Sequence, residues 1–150
     1  FSEVAVKGQK LTDRLLALVD EDTTAFNRVM DAFKLPKGTP EEKAARNEAI
    51  QHATLYATEV PLHTMEAASE AFPLLMQMAR TGNPASASDA GVGALAARSA
   101  ILGAELNVRI NAASLTDRGQ ADSLIEKAKK LATEACAAEK AILEEVETKL

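Results

Sequence analysis

Apolar residues recur at intervals of three and four along most of the chain, the spacing of helices with one buried face. Leu11, Leu15, Leu18, Val19, Phe26, Val29, Met30 and Phe33 predict a first helix over about Ser2–Phe33, ended by the Pro/Gly break between Lys34 and Thr39. Thr39, Pro40 and Glu42 form a start signal, with a hydroxyl N-cap, a proline at the first helical position and an acid placed to close a capping box. A second helix follows through Ala44, Ala45, Ala49, Ile50, Ala53 and Ala57. Pro61 removes one backbone donor and disfavours helix at Val60, so that either a new helix starts there or a long one kinks. The third helix, burying Leu62, Met65, Ala68, Ala71, Phe72, Leu75 and Met78, is expected to run to about Arg80, and Gly82-Asn83-Pro84 ends it.

The next stretch, from Ser86 to Asn111, stands apart because its surface is small: Gly91, Gly93, Ala94, Ala97, Ala100, Gly103 and Ala104. Interior glycines cost a helix about 1 kcal/mol each, so they imply close approach to a second helix or to a ligand. After a short loop from Ala112 to Asp117, a final amphipathic helix is predicted from about Gln120 to Lys149, with Leu124, Ala128, Leu131, Ala135, Ala138, Ile142, Val146 and Leu150 in its stripe. The fold expected is all-α, an antiparallel bundle of about five long helices in one domain over residues 1–150.

Composition agrees. The chain has 150 residues, 47% hydrophobic, with only 3% aromatic and no Trp, which suits a helical core of small residues. A net charge of −5 with no basic run argues against a nucleic-acid surface, and no apolar run reaches the 18 residues of a membrane span. The lone Cys136 excludes an internal disulfide and suits a reducing, cytoplasmic setting. Two histidines, His52 and His63, have no Cys or His cluster around them, so no metal site is expected, and no phosphate-loop, HExxH or CxxC motif is present.

Two features carry candidate chemistry. Asp22 stands four residues after Leu18, three after Val19 and four before Phe26, on the apolar stripe of the first helix. A carboxyl there is expected to be partly desolvated, which favours its protonated form and suits a proton donor; the alternative is an acid at the stripe's edge or paired with a lysine. Asn107 and Asn111 share a helix column with Gly103, either as a hydrogen-bonding site at a helix interface or as amides that cap the helix end.

Several phrases of the chain together resemble one family. Leu18-Val-Asp-Glu-Asp-Thr-Thr-Ala-Phe26, Leu35-Pro-Lys-Gly-Thr-Pro-Glu-Glu-Lys43, Glu59-Val-Pro-Leu62, Gly82-Asn-Pro-Ala-Ser-Ala-Ser-Asp-Ala-Gly-Val92 and Leu106-Asn-Val-Arg-Ile-Asn111 are similar, in order, to the cyclodeaminase domain of formimidoyltransferase-cyclodeaminases and the related bacterial methenyltetrahydrofolate cyclohydrolases. The resemblance implies an all-helical enzyme with a tetrahydrofolate derivative as substrate and no metal, working as a homodimer or larger assembly and in some members fused to a formimidoyltransferase domain. It implies closure of 5-formimidoyltetrahydrofolate to 5,10-methenyltetrahydrofolate with release of ammonia, in histidine degradation. A cyclohydrolase, or a non-catalytic helical interaction module, is the alternative. The resemblance places the proton donor on Asp22 and puts Asn83, Asp89, Asn107 and Asn111 in motifs suited to hold the substrate, with Arg109 or Lys37 as partners for the glutamate tail. Family members open with a Gly-rich segment and a helix before the point where this chain begins, so an N-terminal part of the domain is expected to be missing.

Overall fold

The structure is a computed structural model that describes residues 2–150. The helices are α1 (Ser2–Phe33), α2 (Pro40–Ser69), α3 (Ala71–Thr81), α4 (Ala87–Ala112) and α5 (Arg118–Glu147), with a 3-10 turn at Pro84–Ser86 before α4. Among the described residues there is no strand. The all-α class is as expected, but the count of long helices is four, with α3 a short fifth of 11 residues.

The difference lies in where a proline ends a helix. α2 continues through Pro61 and stops at Ser69 instead, with Glu70 as the joint to α3. Pro73 accounts for that stop. It sits in the first turn of α3, where a missing N–H is tolerated, but a continuous helix would need it to donate to the Ser69 carbonyl that its ring crowds. Pro61 faces the same problem with the carbonyl of Ala57, and there a substitute donor exists: Asn111 Nδ2 on α4 donates to Ala57 O at 2.7 Å.

The starts of α2 and α5 are set locally. Thr39 Oγ1 accepts from the Glu42 amide at 3.1 Å, and the Glu42 carboxylate accepts from the Thr39 amide at 3.2 Å and from Gly38 at 2.7 Å. Asp117 caps α5 by accepting from the Gln120 amide at 3.0 Å. The loop between α4 and α5 is tied to α2 by Gln51, which donates to Ser114 O at 3.0 Å and accepts from the Thr116 amide at 2.8 Å.

α4 is the central helix, packed between α2 and α5 and touched by α3. Pairings along the helices fix the directions. Ala57 and Gln51 of α2 meet Asn111 and the segment just after it, whereas Arg98 and Gly91 of α4 meet Glu139 and Leu143 of α5, so both neighbours run antiparallel to α4. The main core joins Leu62, Met65, Phe72, Ile101, Val108 and Ile142 to a row of alanines that includes Ala90, Ala94, Ala97 and Ala104 of α4 and Ala128 and Ala135 of α5. Small side chains at the contact bring the helix axes close, and a Cβ on Gly93 would lie 2.6 Å from Leu75 Cδ2 of α3, so that the leucine side chain would have to shift to admit it.

α1 is the outer helix and packs mainly on α2. It buries Leu11, Leu18, Ala25 and Ala32, with Leu15 half-buried. Val19, Phe26, Met30 and Phe33, which the periodicity puts in the buried stripe, are largely exposed. One neighbouring helix covers only one narrow seam, and the wider stripe extends beyond it.

Ile101 is fully buried at the centre of α4, where it meets the largest of the core clusters. Ile101→Ala is expected to lower the unfolding free energy by about 3 kcal/mol, read from the midpoint of a urea titration at unchanged slope.

Candidate functional site

Because α1 and α4 both pack on α2 but scarcely on each other, a groove runs between them with α2 as its floor. Its volume is about 350 Å³. Leu15, Leu18, Val19, Asp22 and Thr23 form the α1 wall, Pro61 and Thr64 the floor, and Ala100, Gly103, Ala104 and Asn107 the α4 wall. The apolar part is thus a trough of small and aliphatic groups, with four polar side chains on it.

Those four differ in what occupies them. The hydroxyls of Thr23 and Thr64 donate back to Val19 O at 3.3 Å and Val60 O at 3.2 Å. The Asp22 carboxylate and the Asn107 amide have no hydrogen-bonding or ion-pairing side-chain partner among the described residues. They stand on opposite walls, one offering an anionic acceptor and the other both a donor pair and an acceptor. Asp22 is exposed at the rim, so the burial expected from its place on the apolar stripe is not found. The cause is the bare flank of α1: Val19 and Phe26, its neighbours on that column, are themselves 63% and 62% exposed.

Of the five residues singled out in the sequence, Asp22 and Asn107 come together here. Asn111 lies one turn beyond Asn107 and is committed to Ala57 O. Asn83 caps the 3-10 turn by accepting from the Ala85 amide at 3.1 Å, and Asp89 is exposed in the first turn of α4. By the helical rise, Asp89 is about 21 Å from Gly103 along α4, and neither it nor Asn83 lines the groove. Arg109 pairs with Glu105 at 3.5 Å, and Lys37 is exposed in the loop between α1 and α2, both outside the lining. The floor residues Pro61 and Thr64 escaped the sequence reading as site residues. Their signal was the proline inside an otherwise regular helix, followed one turn later by a small hydroxyl.

A larger groove, about 580 Å³, lies between the end of α1 and the start of α2. Two of its charged groups are already engaged: Arg28 lies over the Tyr56 ring at 4.7 Å, and Asp31 holds Lys34 at 2.9 Å. The smaller groove is the better candidate, since it sets Asp22 and Asn107, both without a side-chain partner, across an apolar trough. No cluster of three or more His, Cys, Asp or Glu side chains suited to a metal ion occurs among the described residues, and no helix there is long and apolar enough to cross a membrane.

The sequence profile of the formiminotransferase-cyclodeaminase family matches residues 1–130. The chain is 39% identical over its whole length to a methenyltetrahydrofolate cyclohydrolase of Methylorubrum extorquens, spanning 72% of that protein. It is also 39% identical over 123 residues to the formimidoyltransferase-cyclodeaminase of Rattus norvegicus; this match takes in 77% of the chain but only 23% of the length of the rat protein. In fold it is similar to the crystal structure of formiminotetrahydrofolate cyclodeaminase from Thermotoga maritima, with a TM-score of 0.79 at 21% identity, covering 93% of this chain and 66% of that one.

Two glycines of α4 separate packing from site. A Cβ on Gly103 would meet nothing within 4 Å, whereas one on Gly93 would press on Leu75. Gly103→Ala is expected to raise stability by about 1 kcal/mol through helix propensity alone, and Gly93→Ala to gain less, because Leu75 must move. Paired denaturant titrations check the difference.

Proposed function

Because the chain belongs to the formiminotransferase-cyclodeaminase family, we propose that its groove between α1 and α4 binds a tetrahydrofolate derivative. We propose further that it converts 5-formimidoyltetrahydrofolate to 5,10-methenyltetrahydrofolate and ammonia, in histidine degradation. The observation that carries this reading is the pair Asp22 and Asn107, polar groups with no other use, set across an apolar trough that has a glycine in its wall.

The chemistry asks for little more. N10 attacks the formimidoyl carbon, forming the C–N10 bond; the C–N bond to the terminal nitrogen then breaks. That nitrogen leaves as ammonia after gaining two protons, one released by N10 and one taken from water. A carboxylate beside both nitrogens takes the N10 proton and returns it to the departing amine, serving as base and then as acid. Asp22 has that role here. Asn107 holds the formimidoyl or pterin nitrogens with its amide, and the small side chains at 100, 103 and 104 leave room for a flat ring. Asn83 and Asp89, at the far end of α4, reach a bound substrate only across a contact between copies, in keeping with the homodimer or larger assembly that the resemblance implies. In longer relatives of this kind the same unit works beside a formimidoyltransferase domain.

A methenyltetrahydrofolate cyclohydrolase is the second reading, favoured by the full-length similarity to the Methylorubrum protein of that name. It uses the same ligand, with Asp22 activating water instead of relaying a proton to an amine.

Single-turnover absorbance of the methenyl product, started from 5-formimidoyltetrahydrofolate, separates the two. Asp22→Asn is expected to slow product formation about 100-fold, and Asp20→Asn, outside the groove lining, to leave it unchanged. Hydrolysis of added methenyltetrahydrofolate with no use of the formimidoyl substrate would select the cyclohydrolase.

A further inference from the structure

Asn111 does not act on its own helix. The end of α4 is closed by backbone bonds, from the Ala113 amide to Arg109 O and from the Leu115 amide to Ala112 O. Its side chain instead crosses to α2 and donates to Ala57 O at 2.7 Å. Ala57 is four residues before Pro61, so its carbonyl is the one that lost its helical donor when residue 61 became proline. The two helices run antiparallel, which puts the Ala57–Asn111 contact one turn from the place where Pro61 and Asn107 both line the groove. The proline is buried, and its ring is part of the groove floor.

We propose that Asn111 is a positioning residue. Its amide stands in for the missing N–H of Pro61 and thereby fixes the floor of the groove against the wall that carries Asn107. Where turnover is concerned, the inference rests on the folate reading above; the hydrogen-bond replacement does not. A proline inside a helix ordinarily kinks it and leaves a half-buried carbonyl unsatisfied. An amide delivered from the neighbouring helix removes that penalty, and because it comes from α4 it also sets the distance between floor and wall. Asn111 is thus distinct from Asn107, which faces the groove with its amide unspent.

The device can be taken apart with four proteins: the wild type, Asn111→Ala, Pro61→Ala and the double variant. In Pro61→Ala the residue 61 amide donates to Ala57 O, and Asn111 becomes redundant. Asn111→Ala alone is expected to lower the unfolding midpoint by about 3 °C and kcat/KM for the methenyl-forming reaction about tenfold. The same change made on top of Pro61→Ala is expected to leave both within about twofold or 1 °C. An equal loss of turnover in both settings would mean that Asn111 touches the substrate directly, and an equal fall in midpoint in both, or none in either, would mean that it does not replace the proline's donor; any of these overturns the proposal. A wild type inert toward folates would count against the folate reading, while the unfolding midpoints would still decide the pairing.

Discussion

Close approach of α4 to its neighbours governs this structure. A helix can lie near the middle of a four-helix packing only if the side chains at its contacts are small, and Ala90, Gly91, Ala94, Ala97, Ala104 and Ala112 meet that requirement while Ile101 and Val108 supply the apolar volume. Dispersion and burial then act over a dense interface, though each alanine contributes little by itself. The same smallness has a second result. Where α4 turns away from α5 and α3, a Cβ on Gly103 would meet nothing, and the exposed Ala100 and Gly103 become the wall of an open trough.

The helices could be read in the sequence with useful accuracy because their ends are marked by local chemistry. Thr39, Pro40 and Glu42, Asp117, and the Gly82-Asn83-Pro84 break act through neighbours in the chain, and such signals need no knowledge of the fold. The prolines show the limit. Pro61 and Pro73 look equally disruptive, yet only the second ends a helix, because rescue of the first comes from Asn111, some fifty residues later. Nothing local distinguishes the two.

The candidate site divides along the same line. Spacing put Asp22 on a stripe and Asn107 on the glycine column, and the structure brings both to one groove. What spacing left open was which side of α1 another helix covers. The buried seam is Leu11, Leu18, Ala25 and Ala32, while Val19, Phe26, Met30 and Phe33 on α1 and Leu106 and Ile110 on α4 remain exposed, Val19 in the groove wall itself. Periodicity reports an apolar face but not its occupant.

The connections have a kinetic consequence. α1 and α2 are joined by six residues and α4 and α5 by five, so each pair makes its contacts over short stretches of chain and closes with little loss of loop entropy. Contacts between α2 and α4 span far more sequence and include the amide of Asn111. Two helical hairpins forming early and docking later is the order this topology favours. Until they dock, the Ala57 carbonyl has no donor but water, so the proline leaves the middle of α2 as the weakest part of an otherwise long helix, and docking is what completes it.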